Sequence, residues 1–297
     1  MTGSALILLI GQTIQMFLVI LLAPAITGIV RRVKARATRR QGAPVIQPYR
    51  DLHKLVKKET VIADNASWFF RTAPYAILAF TWVATALVPT FASGLMFNWA
   101  ADVVALVALL GAARAILALA GMDVGTSFGG IGTSRELMIA TLAEPAMLLV
   151  VLTIALTAGT TRLPEIANFI ISAPITVRVS LALALVALVI VALAENARIP
   201  IDNPATHLEL TMVHEAMVLE YSGRHLAMIE LAAQLKLVLY IAFIICLFVP
   251  FGMAPSQAGP AAWGFGLVVF LAKLVIGAAL LGLWLRMPQV RAASAGL

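Results

Sequence analysis

Apolar residues run through this sequence in long stretches, and polar residues gather between them. Seven stretches come close to or exceed the roughly 20 residues a helix needs to cross a bilayer. They cover 5–30, 67–91, 101–121, 134–158, 176–194, 225–249 and 262–285. The expected fold is all-α: a polytopic transmembrane helix bundle of about seven spans, forming a single domain over 1–297, with amphipathic helices in its cytoplasmic loops. Local punctuation agrees. Thr133 and Glu136 have capping-box spacing, which predicts the start of the fourth helix there. Pro200 and Pro204 should stop the fifth, and Pro250 and Pro255 follow the sixth. No internal repeat is evident, and so none of the inverted repeats of many carriers.

Composition narrows the class. The 297 residues are 62% hydrophobic and 12% charged, with a mean hydropathy of +0.99. These values exclude a soluble globular domain and a disordered chain. The first span lacks a basic leader and an A-x-A site, and positive charges follow it, so it is expected to stay as a helix rather than be removed as a signal peptide.

Charge then sets an orientation. The net charge is +7, and ten of the 21 Lys and Arg residues lie between Arg31 and Lys58. A basic block beside a span marks the cytoplasmic side first, a lipid or partner contact second. Nucleic acid ranks third. With the N-terminus outside, 31–66, 122–133, 195–224 and the tail after Arg286 are cytoplasmic, and 92–100, 159–175 and 250–261 are external. Arg162 is the only Lys or Arg in those three external loops.

The chain offers little to redox chemistry. Its one cysteine, Cys246, allows no internal disulfide, and an iron–sulfur cluster needs about four thiolates. His214-Glu215 opens an HExxH pattern, but position 218 is Val218. No cofactor and no metal site are therefore expected in this chain, and in a redox complex other chains would carry the electrons. The informative residues are charges at membrane depth. Arg114, Glu144, Glu230, Lys236 and Lys273 interrupt apolar runs. Such groups cost a few kcal/mol or more, which makes them functional candidates. They point to the handling of protons or another small cation.

Two regions carry that reading furthest. The segment AENARIPIDNPATHLELTMVHEAMVLEYSGRHLAMIE, 194–230, can form a helix after Pro204. His207 and His214 would share one face of it, as would Glu209 and Glu220. Crowded carboxylates in a poorly solvated space raise one another's pKa, which suits a proton relay. The plain alternative is a solvated loop. Against it, the charges alternate with apolar residues and adjoin membrane helices. A metal site at His207 and His214 is a weak candidate, because i,i+7 is not a usual ligand pair. Glu144, in IATLAEPAML, stands about 12 Å along the helix from Glu136. It reads both as an ion-path carboxylate and as a buried acid bonded to a neighbour such as Arg114.

Two loops are less specific. GMDVGTSFGGIGTS, 121–134, lacks G-K-[ST] and follows no strand, so its glycines are expected to serve tight backbone packing rather than a phosphate. Asp123 there reads at least as readily as a surface charge as it does as a proton carrier. The basic loop, with Gly42, Pro44 and Pro48 before a short amphipathic helix, reads equally as a topogenic loop and as a docking surface.

These motifs carry a resemblance. The 194–230 segment and SFGGIGTSRELMIATLAEP resemble the family of hydrogenase-4 component C and formate hydrogenlyase subunit 4. That family is homologous to the complex I membrane subunit that docks the peripheral arm, the NADH dehydrogenase subunit 1 family. The shorter complex I pattern is similar around Glu195, Arg198, Pro200, Asp202 and Glu220-Tyr221-Ser222-Gly223. Gly42, Pro44, Gln47-Pro48, Asp51, Lys54-Leu55 and Lys58-Glu59 match the family's first cytoplasmic loop.

The resemblance implies a non-catalytic membrane-anchor subunit of a group 4 membrane-bound hydrogenase or formate hydrogenlyase-like oxidoreductase, in a prokaryotic cytoplasmic membrane. Its implied partners are a nickel–iron hydrogenase-like large subunit, an iron–sulfur small subunit and antiporter-like membrane subunits. The nickel–iron centre and the clusters would lie in those partners. The implied ion path comprises Glu144, Glu195, Asp202, Glu209, Glu215 and Glu220, with His207, His214 and Glu230 beside it. Arg114, Arg135 and Arg198 would tune its charge, and Arg39, Arg40, Asp51, Lys54 and Lys58 would dock the soluble arm. An eighth helix usual in the family is expected to be absent after Arg286. A quinone-site subunit of a complex I-like dehydrogenase is the alternative, although His207, His214 and the fuller hydrogenase match speak against quinone. A standalone cation antiporter is a third reading, weakened by the missing repeat.

Overall fold

A computed structural model describes residues 3–172, 179–198, 213–255 and 260–285. Among these the chain is helical almost throughout. Its elements are α1 (Gly3–Ala37), α2 (Gln47–Lys57), α3 (Trp68–Leu87), α4 (Val103–Asp123), α5 (Ser127–Ala158), α6 (Leu163–Ser172), α7 (Val179–Glu195), α8 (His214–Val218), α9 (Gly223–Phe248) and α10 (Pro260–Trp284). The seven apolar stretches fall on α1, α3, α4, α5, α7, α9 and α10. Among the described residues, five of these are long and apolar enough to cross a membrane: α1, α4, α5, α9 and α10. α7 is apolar but has only 17 residues. α3 has 20 and carries Arg71 and Pro74.

α9 is the central helix. Its buried side chains run from His225 to Leu247. Leu235, Val238, Leu239 and Phe243 form one apolar core with Leu106 of α4, Met147 and Ile154 of α5, Leu188 of α7 and Leu274 of α10. α1 packs on α9 and α10, α3 on α4 and α9, and α5 on α4 and α7. A helix hydrophobic on nearly all faces needs such surroundings, or lipid, to be stable in a membrane.

Two helices run well past their apolar stretches. α1 continues to Ala37 through Arg31, Arg32, Lys34 and Arg36. α5 begins at Ser127, with Thr126 accepting from Gly129 N–H at its cap. The capping box expected at Thr133 is not formed. Thr133 is fully buried and donates to the Ala118 carbonyl of α4, while Glu136 pairs with Arg114. Both side chains have tertiary partners that outweigh a local cap.

The glycines of 121–134 allow this helix pair to close. A Cβ on Gly129 would lie 2.1 Å from the Gly121 carbonyl oxygen, and one on Gly132 would lie 2.8 Å from the Ala216 Cβ of α8. Close approach is what Gly121, Gly129 and Gly132 supply, as expected for packing glycines, whereas Gly125 and Gly130 face open space.

Candidate functional site

The site is built around Arg114, which projects from the middle of α4 and is buried. A buried guanidinium needs acceptors for its five donors. α5 supplies two carboxylates. Arg114 Nε lies 3.5 Å from Glu136 Oε1, and Nη1 lies 3.2 Å from Glu144 Oε1. The third comes from the last residue of α7: Arg114 Nη2 contacts Glu195 Oε1. Lys236 of α9 then reaches the other oxygen of Glu195, Nζ to Oε2 at 3.1 Å. Four helices thus contribute one continuous cluster of two cations and three carboxylates.

The cluster opens into a polar cavity of about 190 Å³, room for several waters at roughly 30 Å³ each. Arg114, Glu136, Glu195 and Lys236 form its inner end. Toward the basic end of α1 it is lined by Arg31, Arg198, His214, Glu215 and Glu230. Thr27 Oγ1, Gln234 Oε1 and Arg198 Nε, which also face it, are buried without a protein partner among the described residues. Buried polar atoms are nearly always bonded, so these suit water or an ion in transit. Burial, followed by the nearby Arg31, presses the Arg198 pKa below its ordinary value, and Glu230 opposes this.

Sequence-derived candidates divide accordingly. Arg114, Glu144 and Glu195 are joined directly; Arg198, His214, Glu215 and Glu230 share the cavity with Arg114 and Glu195, whereas Glu144 does not line it. Glu220 is exposed and Arg135 half-buried; neither lines it. Asp202, His207 and Glu209 lie outside the described residues. Among the described residues no group of three or more His, Cys, Asp or Glu is placed to hold a metal.

Residues 11–295 match the model of the NADH dehydrogenase family. The chain belongs to that family. Hydrogenase-4 component C of Escherichia coli K12 is 34% identical over 272 residues, covering 91% of this chain and 84% of that protein. Formate hydrogenlyase subunit 4 of the same organism is 31% identical, covering 91% and 87%. A subunit of the NADH-quinone oxidoreductase of Rhodospirillum rubrum is 26% identical, covering 78% and 68%. A chain from the structure of the membrane-bound sulfane sulfur reductase, an archaeal respiratory membrane complex, has the same fold. The TM-score is 0.70 at 22% identity, over 90% of this chain and 88% of that one.

Two residues of the cluster do not stand in the sequence-derived path. Glu136 reads from the sequence as a helix cap. Lys236 stands out as a charge in an apolar run, but its partner is 41 positions away in sequence, beyond any local spacing rule. Lys273, another such charge, has a structural task. Its ammonium donates to the Val249 carbonyl at 2.6 Å and to that of Phe251, capping the end of α9. Asp123 likewise accepts from the Ser67 N–H at 2.9 Å and hydroxyl at 2.7 Å, seating the start of α3.

The basic loop lies against the segment that enters α9. Ser222 Oγ accepts from Val61 N–H and donates to the Val61 carbonyl, both at 2.8 Å. Gly223 has φ +54°, and a Cβ there would lie 2.7 Å from the Glu59 carbonyl oxygen and 2.8 Å from that of Lys58. Tyr221 stacks on Phe70 with ring centroids 4.0 Å apart and donates to the Phe70 carbonyl at 3.0 Å; burial pushes its phenol pKa up. Of the docking candidates, Arg39, Arg40, Lys54 and Lys58 are exposed. Asp51 accepts from Gln47 at 2.8 Å and lies 3.9 Å from Arg31, so it braces α2 against α1.

Proposed function

We propose that this chain is the membrane-anchor and ion-path subunit of a group 4 hydrogenase-like complex. It docks a soluble arm and converts that arm's redox chemistry into movement of protons, or of Na⁺, through the membrane. The kinship with hydrogenase-4 component C and formate hydrogenlyase subunit 4 supports the type of complex. The partners that follow are a nickel–iron hydrogenase-like large subunit, an iron–sulfur small subunit and antiporter-like membrane subunits. The metal centres belong to the first two. The N-terminus lies outside and the basic loop in the cytoplasm.

The observation that carries the reading is the Arg114 cluster. With all groups ionised it holds two positive and three negative charges, a net −1 inside an apolar bundle. One further proton or cation completes the balance. Glu195 bridges Arg114 and Lys236, so a shift of its carboxylate toward either cation changes the charge seen by the other. A unit charge appearing about 10 Å from the cluster is worth ~1.7 kcal/mol at an effective dielectric near 20, more than tenfold in proton affinity. Docked redox chemistry at the mouth, where Arg198, Glu215 and Glu230 stand, is close enough to act in this way. Glu144 offers the exit. Its side chain is 41% exposed, and exposed Leu137 lies two turns before it on the same helix face. A carboxylate at that depth is too costly to face lipid, so a neighbouring membrane subunit covers it.

Glu144→Gln tests the assignment, because it keeps an acceptor for Arg114 and removes the titrating group. In an assembled complex reconstituted into vesicles, ion translocation per redox turnover should fall by about tenfold or more, while electron transfer in the soluble arm continues. An assembled variant with undiminished translocation removes Glu144 from the path.

A further inference from the structure

A second cavity, apolar and about 230 Å³ in volume, opens in the seam between α7, α9 and α10. Val189, Ile241, Ile244, Gly277 and Leu281 are among its walls. Along α9 it runs from Leu237 to Ile245, about 12 Å at 1.5 Å per residue. That is close to the ~15 Å of hydrocarbon in one leaflet. One end is different. Asn196 and Arg198 line it there, and Trp284, half-exposed, stands at its rim. Arg198 Nε has no protein partner among the described residues. Arg31 and Lys34 of α1 are close enough to repel its guanidinium. Three cations therefore gather where the apolar slot meets the basic end of the bundle, with Glu230 near Arg198 and Asp51 3.9 Å from Arg31 as counter-charges, a positive excess of one.

We propose that this slot binds one anionic phospholipid, with an acyl chain along α7, α9 and α10 and its phosphate against Arg198. The walls ask for a hydrocarbon chain of about one leaflet's depth. The guanidinium offers a planar fork that suits phosphate oxygens. A net negative headgroup also relieves the crowding of Arg31, Lys34 and Arg198. Tryptophan at the rim is where interfacial aromatics settle. An uncharged quinone fits the walls and leaves that positive excess uncompensated. A partner's apolar helix covers the walls and offers the Arg198 Nε no acceptor.

The assembled complex, in phosphatidylcholine vesicles, is photolabelled with a trace of phosphatidylglycerol or phosphatidylcholine, each with a photoreactive acyl chain. Phosphatidylglycerol should label the slot-lining peptides of α7, α9 and α10 about fivefold more than phosphatidylcholine does. Arg198→Gln should bring that ratio near one, Arg198→Lys should keep most of it, and Val189→Trp should abolish labelling by both lipids. Equal wild-type labelling by the two lipids overturns the proposal. So does an unchanged ratio in R198Q, labelling that survives V189W, or displacement by a quinone but not by unlabelled phosphatidylglycerol. Slot peptides that stay unlabelled overturn it too, and place a helix or another part of this chain in the slot instead. The wild-type ratio and V189W decide the matter even where R198Q fails to assemble.

Discussion

Arg114 concentrates the energetics of the site in one side chain. Its guanidinium compensates three carboxylates, of which Glu195 is almost fully buried. Replacing it by methionine leaves the cluster at −2 in place of −1. Breaking one side of a buried pair costs ~3–5 kcal/mol, so R114M should lower the thermal stability of the purified complex markedly. Removing Glu195 as well, in R114M/E195M, restores the net −1 and should recover part of the loss, since apolar replacement of a whole buried pair is close to neutral. Thermal unfolding of the three complexes checks this; an R114M complex as stable as wild type refutes the central place given to Arg114. The partnership of Arg114 with Glu144 was legible in the sequence because both charges interrupt apolar runs and must neutralise each other somewhere. The part played by Lys236 was not. The pattern of α9 shows that a charge is buried, but only the packing of α7 on α9 says against which carboxylate.

Helix length shows the same limit. Hydropathy marks the portion of a helix that meets lipid, and a helix continues past it wherever its polar end finds partners. α5 has 32 residues, about 48 Å at 1.5 Å per residue, against ~30 Å of hydrocarbon. Its first two turns, read from the sequence as loop, stand on the basic side of the bundle and meet α4 at Gly129 and α8 at Gly132. The two neighbouring glycines there should behave in opposite ways. Gly129→Ala drives a methyl to 2.1 Å from the Gly121 carbonyl, and overpacking of this kind costs ~1–3 kcal/mol. Gly130 has nothing within 4 Å of its would-be Cβ, so Gly130→Ala should be neutral or stabilising by up to ~1 kcal/mol. Melting temperatures of equal size and sign for the two variants would contradict this account of the α4–α5 contact.

At the scale of the whole molecule, the bundle could be read from the apolar runs, and charge placement assigns the basic loop and 195–224 to one side. What holds them together could not be read. Glu220-Tyr221-Ser222-Gly223 resembles a functional signature, yet Tyr221, Ser222 and Gly223 act as a clamp on 58–61 and Phe70, leaving Glu220 on the surface. This clamp separates geometry from charge in docking. Arg39, Arg40 and Lys54 stand exposed on the clamped loop, and each exposed cation contributes up to about 1 kcal/mol to a salt-screened contact. Charge reversal at all three should therefore release the soluble arm while this chain stays inserted, and raised salt should release it from the wild type more gradually. Gly223→Ala leaves every charge in place. It forces a Cβ onto the Lys58 and Glu59 carbonyls at a backbone angle suited to glycine, and displaces the loop. If the loop is a docking surface, G223A should also weaken retention of the arm, by a loss that low salt does not repair. If the loop only sets topology, the charge-reversed chain will insert inverted, as cysteine labelling of the loop will reveal, and G223A will keep its arm. Correct insertion with the arm still bound at raised salt would show that docking rests on other surfaces.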